Sequence, residues 1–392
     1  MGRYRWVVLG GATLMQVGVS LPQQTPAAIG PVLIASLHIS NAQLGLLTSA
    51  IWGGMLLGFI PFGLLVDRFG ERRVLAGGAL LLAVALGAAS MASTFWPLFL
   101  LLIPAAVGAS SGSPGGARPI AEWFPRSQRG MALGIRQGGV TLAGITAATT
   151  LPAIALAAGW RAAFWTVAAA AVVAVAIFAV LYREPVGGRA ESASLDPRAL
   201  LSSRRFLAAT AFGWVFMGIL GAGVTYLPNS LHQSAGLSVI VAGRLLAVLQ
   251  LGGLVGRVGW GLVSDRAGRA LTMAVTGLLA CVACLGMAWL GHAGTPLVFL
   301  GGISFLLGLS AMGWNALYIA IAAEAVPIHH AASAIGIGTA ITFTGMFVGA
   351  PLYGLLADRS GGFTVPWVAL AAWGLLGVLF LAAGHARRPQ IA

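Results

Sequence analysis

The stretch 74–92, VLAGGALLLAVALGAASMA, contains no charged residue, and runs of this kind recur along the whole chain. A helix that sits against water must show it a polar face, and these runs have none. About 20 apolar residues cross the ~30 Å hydrocarbon core of a bilayer as a helix. A membrane β-strand would instead alternate over segments of about ten residues. The feature therefore requires an all-α membrane protein. Composition agrees: 8% of the 392 residues are charged, against about 25% in soluble domains. That is too little charge to cover a water-facing surface, which excludes a soluble enzyme and an ordinary secreted domain. The 56 glycines would weaken soluble helices, but between membrane helices they permit close backbone approach.

The apolar runs place twelve spans at 6–29, 43–66, 74–93, 97–121, 130–157, 162–182, 206–228, 239–263, 270–290, 296–325, 332–356 and 365–384. The first run is interrupted by Gln16, Gln23 and Gln24 and has no clear cleavage site, so it reads as a retained helix rather than a signal peptide. All basic residues are arginine, and with the amino terminus inside, only Arg161 and Arg359 fall in outer loops. This bias orients both termini to the cytoplasm of a multi-pass protein of the plasma (inner) membrane. It also explains the net charge of +13 without nucleic acid. The longest polar stretch, 183–205, reads as a cytoplasmic linker between two six-helix halves, 1–182 and 206–392. Cys281 and Cys284 form a CxxC inside an apolar run with no third or fourth ligand nearby, so they read as packing. No cofactor or metal site is legible, and the protein is expected to act as a monomer.

The halves repeat each other. GFIPFGLLVDRFGER (58–72) matches GRVGWGLVSDRAGRA (256–270) at an offset of 198, which aligns Gly58, Gly63, Asp67, Arg68 and Gly70 with Gly256, Gly261, Asp265, Arg266 and Gly268. At an offset of 202, Glu122, Pro125, Gly134 and Gly159 fall on Glu324, Pro327, Gly336 and Gly361. Parallel six-helix repeats are a transporter architecture. In each signature the glycines let helices pack, the aspartate ends a helix, and arginines such as Arg68 and Arg72 sit at headgroup level within reach of it.

The G-x-x-x-D-R-x-G-x-R pattern, its copy, the central loop and GWRAAF (159–164) together resemble the major facilitator superfamily of secondary transporters. AEWFPRSQRGMALGIRQGG (121–139) and GRVGWGLVSD (256–265) are similar to segments of its organic-anion branches, the oxalate/formate, monocarboxylate and anion:cation symporter groups. In the first two groups an arginine at the position of Arg257 binds the substrate carboxylate. The resemblance implies alternating access, coupled to a proton or to an exchanged anion. It also implies that helices 1, 4, 7 and 10 line the pathway. Polar candidates there are Gln16, Gln23, Ser110, Trp214, Tyr226, Asn229, Trp314, Asn315 and Tyr318.

Charge inside the membrane is costly, and an arginine at the midplane needs a watery cavity or a partner. Arg257 lies about 12 Å before Asp265, close to the midplane, and its repeat mate is Phe59, so the fold itself does not demand a charge there. It is read as the anion-binding residue; the alternative is a structural arginine bonded to helix carbonyls or to Gln250. Arg136, whose mate is Gly338, is read as a second anion contact. Arg118, four residues before Glu122, is read as an ion-paired inner latch, together with Asp67, Arg68, Arg72, Asp265, Arg266 and Glu324. GASSG (108–112) matches a nucleophile-elbow pattern but lies mid-span with no histidine at its depth. The expected function is transport of a small organic anion, a carboxylate by preference. The competing readings are an efflux carrier for amphipathic compounds, with Arg257 structural, and a membrane sensor that kept the fold.

Overall fold

A computed structural model describes residues 4–112, 120, 123–182, 203–324 and 331–385. Every element assigned among them is helical: α1 (Tyr4–Ala28), α2 (Gly30–Leu37), α3 (Asn41–Phe69), α4 (Glu71–Ser90), α5 (Phe95–Ser110), α6 (Arg126–Leu181), α7 (Arg204–Ala235), α8 (Val239–Ala267), α9 (Arg269–Leu290), α10 (Leu297–Glu324), α11 (Ala331–Ser360) and α12 (Thr364–His385). Nine helices among the described residues are long and apolar enough to cross a membrane. The other spans read from the sequence are present in different form. The fifth and sixth are the arms of α6, which breaks at Gly159, where φ is 84° and ψ 160°. The fourth is described as an apolar helix of 16 residues, α5. The first, α1, holds Gln16, Gln23, Gln24, Pro22 and Pro26, which lower its hydropathy. Side chains such as Ile60 and Trp289, 75% and 77% exposed, cover an outside that only lipid can solvate.

Local chemistry sets the helix ends. A reciprocal capping box starts α3: the Ser40 hydroxyl accepts from the Gln43 amide at 3.2 Å, and the Gln43 side chain accepts from the Ser40 amide at 2.9 Å. Gly70 and Gly268, repeat mates, join α3 to α4 and α8 to α9 with φ of 79° and 87°. Residues with side chains rarely adopt such angles. Gly159 and its mate Gly361 also have positive φ, 84° and 68°.

The repeat read from the sequence also governs packing. A methyl at Gly54 would strike the Ile103 carbonyl of α5, and one at its mate Gly252 the Phe305 carbonyl of α10. Gly58 packs on Val107 and Ser110, and its mate Gly256 on Leu309. Small residues thus bring α3 against α5, and α8 against α10, in one register.

By internal contacts the chain resolves into two compact units, Met1–Ala190 with Thr225–His232 and Leu237–Ala247, and Glu191–Val224 with Gln233–Gly236 and Val248–Ala392. The last turns of α7 and the first turns of α8 thus group with the first unit. In that unit Val8, Met15 and Val19 of α1 pack with Leu75 of α4 and with Val175 and Phe178 of α6. In the second, Phe212 stacks on Phe216 at 4.1 Å and meets Trp314 edge-on, and Trp314 meets Tyr318 edge-on.

Candidate functional site

Arg257 lies on α8, half-buried, about 15 Å before the helix ends at Ala267. Its place follows from the glycine seam. The contacts Gly252–Phe305, Gly256–Leu309 and Trp260–Gly313 advance together, so α8 and α10 run parallel. Gly253 meets the Met312 side chain beside that seam. Gln250, 1% exposed, shares the face of Arg257 two turns earlier. The Trp260 indole N–H donates to the Leu309 carbonyl at 2.9 Å and pins the seam.

Arg136 is in the first unit, 4% exposed. Because α6 begins at Arg126, it sits about 15 Å into the helix, deeper than the span boundary at 130 implies. Its Nη2 donates to Gln16 Oε1 at 2.7 Å and also to the Gly112 carbonyl. Gln16 Nε2 donates in turn to Ser20 Oγ at 2.9 Å. Gly139 permits this approach, since a methyl there would press on the Thr13 carbonyl and the Gln16 side chain. In the second unit, a side chain at Gly338 would meet Tyr318 and Phe206. Rings fill there the space that a guanidinium takes beside Gln16. Glu71, 1% exposed at the start of α4, is within electrostatic reach of Arg136.

Other expected site residues have their polar groups engaged. The Tyr318 hydroxyl, in a buried ring, shares a hydrogen bond of 3.2 Å with Thr210. Trp214 donates to Thr344 at 3.0 Å and stacks on Trp373 at 5.5 Å. Trp314 donates to the Ala311 carbonyl at 2.8 Å. Ser110 donates to the Val107 carbonyl at 2.7 Å. Tyr226 and Asn229, within the first unit, donate to the backbone and side-chain oxygens of Asn41, each at 2.6 Å.

For the latch residues the picture is uneven. Arg118 and Glu122 lie outside the described residues, as does the Asp67 side chain. Arg68 is exposed and covers the Phe69 ring at 5.2 Å, and Arg72 is exposed nearby. Asp265 and Arg266 are exposed at the end of α8. Glu324 pairs with Arg269 at 2.7 Å, their side chains 61% and 35% exposed. Both sit at helix ends that their charge disfavours, a cation where α9 starts and an anion where α10 stops, so the pair offsets two unfavourable dipole terms. A cavity of about 540 Å³ opens beside it, lined among others by Ser203, Arg205, Asp265, Arg269 and Glu324. Sequence reading missed two features here. One is Ser20, one turn beyond Gln16. The other is that Arg269 and Glu71 are repeat mates of opposite charge.

A family model for the Major Facilitator Superfamily matches residues 8–350. An uncharacterized MFS-type transporter of Mycobacterium tuberculosis (strain CDC 1551 / Oshkosh) is 29% identical over 346 residues, 86% of this chain and 75% of the relative. The 4-hydroxybenzoate transporter PcaK of Pseudomonas putida is 24% identical over 395 residues, 91% of this chain and 88% of that one. The probable galactarate/D-glucarate transporter GudP of Bacillus subtilis (strain 168) is 22% identical over 351 residues, 79% and 77% of the two chains. Among solved structures, a bacterial homolog of the human lysosomal transporter Spinster superposes with a TM-score of 0.83 at 18% identity, covering 98% of this chain and 97% of that one.

Proposed function

The chain belongs to the major facilitator superfamily, and on that premise we propose that it moves a small organic anion, a carboxylate, across the membrane by alternating access, with Arg257 as the anion-binding residue. It is a multi-pass membrane transporter with the major facilitator fold, not an enzyme. The observation that carries the reading is Arg257 itself. It is an arginine deep in a span, only half-buried, at a position where the repeat has Phe59 and therefore no need of charge. Gln250, two turns earlier on its face, adds a neutral hydrogen-bonding group. The names of the relatives support the class, since galactarate, D-glucarate and 4-hydroxybenzoate are all carboxylates.

Guanidinium stays charged at any working pH and offers a planar fork of donors to a carboxylate. Arg136 has a different task in this reading. With Gln16 and Gly112 already on its guanidinium, it shapes the first unit rather than serving as a second anion contact. The latch is read at the helix ends, where Arg269 holds Glu324. The same reading puts both termini and the linker 183–205 on the cytoplasmic side, although residues 1–3, 183–202 and 386–392 lie outside the described residues, and it couples transport to a proton or to an exchanged anion. The test is ligand binding by purified, monodisperse Arg257→Ala protein across a panel of carboxylates. Loss of binding supports the proposal. Anion binding equal to wild type rejects it and favours the efflux reading, in which Arg257 is structural.

A further inference from the structure

Two helices of this protein change allegiance along their length. α7 runs unbroken over Arg204–Ala235 and α8 over Val239–Ala267. The boundary between the compact units nevertheless cuts α7 between Val224 and Thr225 and α8 between Ala247 and Val248. The repeat in the sequence reads both helices as part of the second half, 206–392. Their glycine contacts agree. On α7, Gly218 meets the backbone of Gly349 on α11, and on α8, Gly252 and Gly256 meet the backbones of Phe305 and Leu309 on α10.

The last turns of α7 and the first turns of α8 are held by different chemistry. The Thr225 and Thr48 hydroxyls share a hydrogen bond of 3.2 Å. The Tyr226 hydroxyl donates to the Asn41 carbonyl, and the Asn229 amide to the Asn41 side-chain oxygen, each at 2.6 Å. On α8, Gly243 lies against the Ala148 carbonyl and Pro152 of α6. All of these residues belong to the first unit. Thr225, Tyr226 and Asn229 are at most 1% exposed, so the bonds are shielded from water. None of the three bonds involves a charge.

Alternating access moves one repeat against the other. A stiff helix seated in the second half by a glycine seam cannot also keep its tip bonded to the first half throughout that motion. The neutral bonds are the part suited to give way. Charged partners would carry a desolvation cost at every closure, whereas hydroxyls and amides re-form without one of that size. We infer that Asn41 and Thr48 of α3, with Thr225, Tyr226 and Asn229 of α7, form a clasp that closes one mouth of the transport path and opens reversibly. The inference rests on the alternating-access reading above, and the orientation proposed there places the clasp on the outer side.

Thiol labelling tests it without any substrate, so the outcome is independent of the carboxylate reading. Thr225→Cys supplies a thiol that is buried while the clasp is closed. In right-side-out membrane vesicles an impermeant maleimide should label it slowly but completely. On that background Tyr226→Phe, which removes one hydroxyl and nothing else, should raise the labelling rate roughly 2–10-fold, the range for losing one neutral hydrogen bond. Asn41→Ala should raise it by at least as much. The native thiols of Cys281 and Cys284, buried in the second unit, should stay silent in every variant and so report that the fold is intact. No labelling of Thr225→Cys from either side would show a permanent contact and overturn the clasp. A rate unchanged by both substitutions, or a rise matched at Cys281 and Cys284, would overturn it as well. The same graded rise in inverted vesicles alone would uphold the clasp and overturn the proposed orientation.

Discussion

Gly256→Ala is the substitution whose effect the structure prescribes most sharply. The added methyl would overlap the Leu309 carbonyl oxygen, a backbone atom that no rotamer change can move. α8 and α10 would have to part, at a cost typical of overpacking, about 1–3 kcal/mol. The repeat supplies a graded series. At Gly58 the nearest atom is the Ser110 hydroxyl, which can swing away, with the Val107 carbonyl behind it at 3.0 Å. Gly58→Ala should therefore cost less, about 1 kcal/mol. At Gly261, on the same helix as Gly256, a methyl meets nothing within 4 Å. Gly261→Ala should match or slightly exceed wild-type stability, since alanine favours helix by up to about 1 kcal/mol over glycine. Thermal melting of purified protein in one detergent, read by the loss of the monodisperse peak, should rank Gly256→Ala lowest, Gly58→Ala next and Gly261→Ala with wild type. Equal melting of the Gly256 and Gly261 variants would refute the seam as the source of close packing.

Asp67→Asn should impair transport without abolishing substrate binding, which comparing turnover with equilibrium binding checks; unchanged turnover would remove Asp67 from the latch. The Arg269–Glu324 pair is partly exposed, so a double-alanine cycle on melting should return at most about 1 kcal/mol, shrinking with added salt. A larger coupling that ignores salt would mean that the pair is buried in the working protein. Single cysteines at Ala190 and His385 should label with an impermeant maleimide only from the cytoplasmic side, and one at Ala293 only from outside. The native thiols of Cys281 and Cys284 are buried and should stay silent.

The fold was legible because lipid removes ambiguity: a run without charge can only be a span, and spans set the count. The repeat was legible for a steric reason. Gly70 and Gly268 take backbone angles that side chains resist, and Gly54 and Gly252 sit where a methyl has no room, so the same letters recur. Polar side chains within the spans were harder. A glutamine or tyrosine inside a helix reads alike whether it faces a pathway or a neighbour. Tyr318 turned out to be bonded to Thr210, Trp214 to Thr344 and Tyr226 to Asn41. Partners so far apart along the chain leave no trace in spacing. Arg136 was visible as an intramembrane charge, but its hold on Gln16, 120 residues away, was not. The helix α2 was also missed, because the first span was placed at 6–29 and no helix was read between it and the next span.

The central claim is that Arg257 makes this transporter select anions, and reconstituted counterflow tests it most directly. Proteoliposomes preloaded with a saturating carboxylate should accumulate the labelled form of the same compound when they carry wild-type protein. Arg257→Lys keeps the charge but loses the fork, so it should accumulate it slowly and with weaker apparent affinity. Arg257→Ala, monodisperse and correctly inserted, should give the signal of empty liposomes. Counterflow of the carboxylate by the alanine variant at the wild-type rate would contradict the account.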